Sequence, residues 1–189
     1  MSDSATPSLL AAHHCLGLGV RAVHTLRASL ERDLGANAAA YLQEAGFAGG
    51  ADLYSAFQAW LAESTGVTDP QALDREHLSG LLTAFFGSLG WGSLQVSALG
   101  PALLALDSPD WAEADPTAGA AYPSCHVTGG LLSAFLGHLG AGMTAVLEVE
   151  CRSRGDARCR FAAGAPETVH ALYERLAAGQ PIEQAAGIA

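Results

Sequence analysis

Apolar residues recur at helical spacing from the start of the chain. Leu9, Leu16, Val20, Val23, Leu26, Leu30 and Leu34 fall three, four or seven apart, which predicts one amphipathic helix over Ser8 to Leu34, stopped by Gly35. Two shorter helices are expected next, Ala38–Ala45 and Ala51–Glu63, parted by the glycine-rich step GFAGG. Leu53, Ala56, Phe57, Trp60 and Leu61 give the second a core-facing stripe. Asp69-Pro70 marks a turn, and Asp74 with His77 opens a further helix.

Shorter apolar runs then take over. Ser93–Leu99 and Ala102–Asp107 flank the turn dipeptide Gly100-Pro101 and predict a hairpin. Thr144–Cys151 and Arg158–Ala163 flank SRGDA and predict a second, with Gly155 in its turn. Pro166–Ala178 reads as a closing helix with Pro and Glu in its first turn. The expected class is mixed α/β (α+β): several helices packed on an antiparallel sheet of about four strands. At 189 residues one domain is expected, residues 1–189, with an N-terminal helical part (1–70), a helix-and-strand core (71–165) and a C-terminal helix and tail (166–189).

The chain echoes itself. GLLTAFFGSLGWGSLQV (80–96) and GLLSAFLGHLGAGMTAV (130–146) agree at ten of seventeen positions without a gap. One supersecondary unit used twice, an apolar helix, a glycine stop and a strand, accounts for the match. Two stretches, Leu78–Leu106 and Pro116–Leu147, carry no charged side chain and are long enough to span a bilayer. Glycine, proline and scattered polar residues interrupt both, so they read as buried helix-plus-strand segments rather than membrane spans.

Charge narrows the function classes. The net charge is -10, which repels a phosphate backbone and argues against nucleic acid as a partner. All nine basic residues are arginine. Without lysine there is no GxxxxGK phosphate loop and no Schiff-base residue for pyridoxal chemistry. Gly17-Leu18-Gly19-Val20-Arg21-Ala22 satisfies a GxGxxA search but follows no predicted strand, so a dinucleotide site is not indicated. The first residues do not resemble a secretory signal, so a reducing cytoplasm is expected for the four cysteines.

Candidate chemistry gathers near the second predicted hairpin. Within VECRSRGDARCR, residues 149–160, stand two cysteines and four arginines. The hairpin can bring Cys151 and Cys159 together, Glu148 lies near the same strand end, and Cys125 sits in another loop. Three thiolates and one carboxylate form a tetrahedral zinc shell with a residual charge of about minus two. On this reading Arg152, Arg154, Arg158 and Arg160 offset that charge and depress the thiol pKa values. The alternative is four small buried residues beside solvated arginines. Glu150 and His126 compete with Glu148 for the fourth position, and Cys15 reads as a buried apolar residue.

The runs YPSCHVTGGLLSAFLG and LEVECRSRGDARCRF together resemble the 4-vinyl reductase domain family. The pattern is carried by Cys125, Gly129, Gly137, Glu148, Cys151, Gly155, Asp156, Cys159 and Phe161, and the strong match covers about residues 122–163. The resemblance implies a mixed α/β fold shared with small-molecule sensor domains and Golgi transport-particle subunits, usually homodimeric. It also implies a structural zinc on Cys125, Glu148, Cys151 and Cys159, stapling the C-terminal hairpin. A closed four-ligand zinc holds a fold rather than performing chemistry, which places the working part in an apolar pocket. Phe85, Phe86, Trp91, Trp111 and Tyr122 are the candidate lining. His77 and Trp111 correspond loosely to the ligand-contacting His and Trp of phenol-sensing relatives. Three functions compete: a non-catalytic sensor or binding module for a hydrophobic or aromatic molecule, an enzyme or accessory of tetrapyrrole vinyl reduction, and a dimeric interaction scaffold. The first is expected, with output through a separate partner, since no DNA-binding or ATPase module is identifiable.

Overall fold

The structure, a computed structural model, describes residues 5–140 and 142–188. Ala141, inside the second copy of the echoed run, lies outside the described residues. The helices are α1 (Ala5–Ala12), α2 (Val20–Leu34), α3 (Ala38–Thr65), α4 (Arg75–Ser88), α5 (His126–Leu139), α6 (Pro166–Ala177) and the short α7 (Ile182–Ala185). The strands are β1 (Gln95–Ala98), β2 (Leu104–Ser108), β3 (Ala145–Glu150) and β4 (Cys159–Gly164). They form one sheet in the order β1-β2-β4-β3, antiparallel at every pairing. The α+β class read from the sequence is the observed one. Among the described residues no helix is long and apolar enough to cross a membrane.

Side chains of alternating strand positions feed two cores, as a period of two requires. On one face Leu106, Phe161 and Ala163 pack with Leu53, Phe57 and Leu61 of α3, Leu82, Phe85 and Phe86 of α4, and Leu132 and Phe135 of α5. On the other, Ala105 and Ala162 meet Val169 and Leu172 of α6 and Ala185 of α7. Each fully buried Leu or Phe contributes roughly 1.5–3 kcal/mol.

Two helix boundaries differ from expectation. The predicted helix over Ser8–Leu34 is two helices, because the chain turns between them at His14 (φ 55°) and runs non-helically through Gly17 and Gly19. The GxGxxA run therefore opens α2, after α1 and a loop rather than after a strand. Conversely, the GFAGG step does not divide a helix: α3 runs unbroken through it. Its glycines serve packing. A Cβ on Gly46 would overlap the Val127 carbonyl, one on Gly50 would lie 2.8 Å from the Leu131 carbonyl oxygen, and one on Gly130 would overlap the Gln43 carbonyl. Backbone meets backbone where α3 crosses α5, and that close approach outweighs the roughly 1 kcal/mol each helical glycine costs. This contact fixes the height of α5 and hence of Cys125 at its N-terminus.

Candidate metal centre and the aromatic core beside it

Cys125, Glu148, Cys151 and Cys159 come together. Their donor atoms all lie within 4.8 Å of one another, and the three cysteines are buried. The sulfur of Cys125 is 3.9 Å from that of Cys151 and 3.9 Å from that of Cys159. These are free thiols. Four ligands about 2.3 Å from one ion would set tetrahedral sulfur edges of about 3.8 Å. The spacing fits a single small ion.

The local fold explains the convergence. Cys125 is the N-cap of α5, and its backbone N–H donates to Glu148 Oε2 at 2.8 Å. Cys151 follows β3, and its N–H donates to Asp156 Oδ2 at 2.7 Å, folding the Arg152–Arg154 turn back on itself. Gly155 completes that turn at φ 100°, where a side chain is strained. Cys159 opens β4.

Glu148 and Cys151 are three apart, and on a regular strand they would point to opposite faces. A β-bulge removes the conflict: Glu148 pairs with Phe161, while Glu150 pairs with Arg160. Val149 is the extra residue, so Glu148 faces the aromatic core and Glu150 the other side. There Glu150 meets Arg158 and Arg160, each within 3.2 Å, and Asp107 pairs with Arg160 at 2.7 Å. Glu150 is therefore committed elsewhere, and His126 stands beside Cys125 without joining the four.

The expected role of the arginines is corrected by the same contacts. Arg158 and Arg160 are held by Glu150 and Asp107, and Arg154 by Asp156 at 2.7 Å. Because the bulge puts Glu150 opposite Arg160, these charges brace the hairpin from outside instead of neutralising the sulfurs.

Electrostatics inside the cluster favour a cation. Hydrogen bonding to the Cys151 and Cys159 sulfurs, then burial, push the Cys125 thiol far up, whereas hydrogen bonds from Cys125 and Cys159 hold Cys151 far down. Burial, with the nearby Cys151 charge, pushes the Glu148 carboxyl up to about 8. One negative charge thus settles on Cys151 while the other donors hold protons that a dication would replace. Among the described residues, Glu148 Oε1 is the buried side-chain polar atom without a hydrogen-bond partner. Leaving such an atom unmet costs about 1–3 kcal/mol, more if charged. An ion beside the sulfurs would satisfy it.

The sequence candidates for a ligand pocket are distributed unevenly. Phe85, Phe86 and Trp111 are fully buried, and Trp91 tilts against Trp111 with ring centroids 5.5 Å apart. Phe86 contacts both Trp111 and Phe135 at 5.6 Å, so these rings form one packed cluster with Phe57 and Phe161. Tyr122 stands outside it at 79% exposure. His77 is also exposed; its Nδ1 pairs with Asp74 at 2.8 Å, and it lines a depression of about 560 Å³. A larger cleft of about 660 Å³ lies between α4, the sheet and the end of α5, lined by Leu78, Leu82, Val96, Leu104, Leu136 and Leu139 among others. Leu73 borders both.

Glu113 escaped sequence reasoning. It is 2% exposed, and its carboxylate accepts the Val127 N–H at 3.0 Å, the Thr128 N–H at 2.8 Å and the Thr128 hydroxyl. The signal available was indirect: α5 opens on a cysteine, which supplies no side-chain cap, so another residue must.

Helices on both faces of a four-stranded antiparallel sheet, with three cysteines and a glutamate gathered at a helix start and a hairpin, are the features of a 4-vinyl reductase domain. Residues 111–165 match the model of that domain family, bearing out the resemblance read from residues 122–163. The phenol-responsive sensory domain of the transcription activator PoxR, solved with phenol, is similar at a TM-score of 0.60 and 18% identity, over 88% of this chain and 84% of that one. The likeness establishes a shared fold. A vinyl-4-reductase family protein from Methanocaldococcus jannaschii aligns at TM-score 0.41 and 18% identity, over 59% of this chain and 66% of that one, too little overlap to argue from. No curated protein matches the chain.

Proposed function

We propose that this chain is a non-catalytic sensor or binding domain for a small hydrophobic or aromatic molecule, stapled by a structural zinc on Cys125, Glu148, Cys151 and Cys159. The observation that carries the reading is closure of the donor set. Three buried sulfurs and the unpartnered Glu148 oxygen fill all four positions of a tetrahedron, leaving none for water or substrate. Zinc suits this soft, sulfur-rich set better than magnesium or calcium. When bound it would supply cross-linking, joining the α5 N-terminus to both arms of the hairpin.

The fold shared with a domain solved with phenol supports the binding half of the proposal. The ligand enters the 660 Å³ aliphatic cleft, the room available without displacing a packed ring. Leu82 and Leu106 line that cleft and also pack in the core holding Phe85, Phe86 and Trp111, so a guest there presses on the aromatic cluster. His77, with Trp91 and Tyr122, remains a candidate contact at the periphery. The output passes to a partner, and the working unit is a homodimer.

Native mass spectrometry of freshly purified protein tests the reading in one measurement. One zinc per chain with a hydrophobic or aromatic adduct is expected. A metal-free chain overturns the zinc, an adduct-free dimer favours a scaffold, and turnover of a divinyl tetrapyrrole with added reductant overturns the non-catalytic assignment.

A further inference from the structure

The segment Trp111–Asp115 touches four parts of the molecule. The Trp111 side chain sits in the aromatic cluster, and its Nε1–H donates to the Thr128 hydroxyl at 2.7 Å. That hydroxyl donates in turn to Glu113, whose carboxylate also takes the Val127 and Thr128 amides. The Glu113 carbonyl accepts from Arg27 at 2.9 Å, the buried side chain of α2, and the Ala112 carbonyl accepts from His24 at 2.9 Å. The Asp115 N–H donates to the hydroxyl of Ser153, which is buried at the tip of the hairpin between Cys151 and Cys159.

Two carboxylates therefore grip one helix start. Glu148 takes the Cys125 amide with one oxygen and turns the other towards the sulfurs; Glu113 takes the next amides along and, through Thr128, the Trp111 indole. We propose that Glu113 is a positioning residue for the metal centre, holding the first turn of α5 so that Cys125 meets the ion and tying that geometry to the indole of Trp111. The inference rests on the zinc reading above and names no new ligand. Its physical basis is direct. The four donors converge from separate loops, and a helix start without its cap frays. A displaced Cys125 sulfur would open one corner of the tetrahedron. In the reverse direction, loss of the ion would release Cys125 and disturb Thr128, three residues on.

The test measures zinc affinity of the full chain by competition with a chromophoric chelator, for wild type, Glu113→Gln and the near-isosteric Thr128→Val. Outer partners of metal ligands typically change affinity ~10–100-fold when removed. Weakening in that range is expected for Glu113→Gln, with cobalt(II) still giving the intense thiolate charge-transfer absorption of an intact ligand set. Thr128→Val, which keeps both amide caps, weakens binding less. A merely structural role would leave the indole spectrum of wild type unmoved by chelation. The expectation is that the Trp111 indole N–H resonance shifts on zinc removal while that of Trp60 stays. Equal affinity in wild type and Glu113→Gln overturns the inference alone. If Glu113→Gln does not fold, Thr128→Val decides, and unchanged affinity there overturns it. All three tryptophan indoles collapsing together would show the ion acting on the whole fold, which overturns it as well. A wild-type chain that takes no zinc brings down the metal reading itself.

Discussion

Adjacent glycines in α5 give the sharpest test of how the metal-bearing helix is seated. At Gly130 an added Cβ would lie inside the Gln43 carbonyl and 2.8 Å from Phe47 N, whereas at Gly129 it would meet only Gln43 Nε2, at 3.9 Å. Both substitutions to alanine gain about 1 kcal/mol of helix propensity. Only Gly130→Ala must push α3 away, from 2.8 Å to an ordinary contact of at least 3.4 Å. The obstructing atoms are backbone, which has no rotamer to change, so the overpacking cost lies near the upper end of its range, about 3 kcal/mol. The net expectation is destabilisation by about 2 kcal/mol for Gly130→Ala and stabilisation by about 1 kcal/mol for Gly129→Ala. With a urea slope of about 2 kcal/mol/M, that gap of about 3 kcal/mol separates the unfolding midpoints by about 1.5 M. Unfolding both variants in urea, followed by far-UV circular dichroism, measures it. If Gly130→Ala matches or exceeds Gly129→Ala in stability, the close crossing of α3 and α5 is refuted.

Three further outcomes follow from the geometry. Glu148→Gln should lose stoichiometric metal by plasma mass spectrometry, while Glu150→Gln keeps it and costs under about 1 kcal/mol, as for other part-exposed ion pairs. Asp156→Ala removes the acceptor of the Cys151 amide and should cost about 1.5–3 kcal/mol in chemical denaturation, because the acceptor is charged. Partial burial works to raise the Asp110 carboxyl, but hydrogen bonds from the Ser93 hydroxyl and amide and the Ser108 hydroxyl outweigh it and hold it below its ordinary 3.8. A depressed acid contributes stability that is present above its unfolded pKa and lost as pH falls through the folded one. Asp110→Asn should therefore flatten the acid limb of a stability-versus-pH curve below about pH 4 relative to wild type.

The strands and the donor cluster were legible because each has a local signal. Gly100-Pro101 and Gly155 sit at turns, and the apolar runs beside them had room for one face or both. Cysteines are few, so Cys125, Cys151 and Cys159 stood out at once. The continuity of α3 was not legible: by propensity GFAGG reads as a breaker, and only the presence of Val127 and Leu131 of α5 against Gly46 and Gly50 shows why those residues are glycine. The choice between Glu148 and Glu150 was equally hidden, since both lie on one strand and the strand's irregularity decides which faces inward. Glu113 lay beyond reach for a related reason. It stands twelve residues before Cys125 in a loop, and its partners are backbone amides, which leave no trace in side-chain pattern.

The bulge at Val149 also changes how the motif should be read in any other chain. A regular strand presents its donors at even intervals, so Glu-x-x-Cys is an odd-numbered ruler that works only with one surplus residue folded into it. Shortening the run to Glu-x-Cys by deleting Val149 would aim the same two side chains inward from an unkinked edge. The spacing of three is thus the written trace of a backbone irregularity, and a redesign that straightens this strand must drop a residue along with the kink.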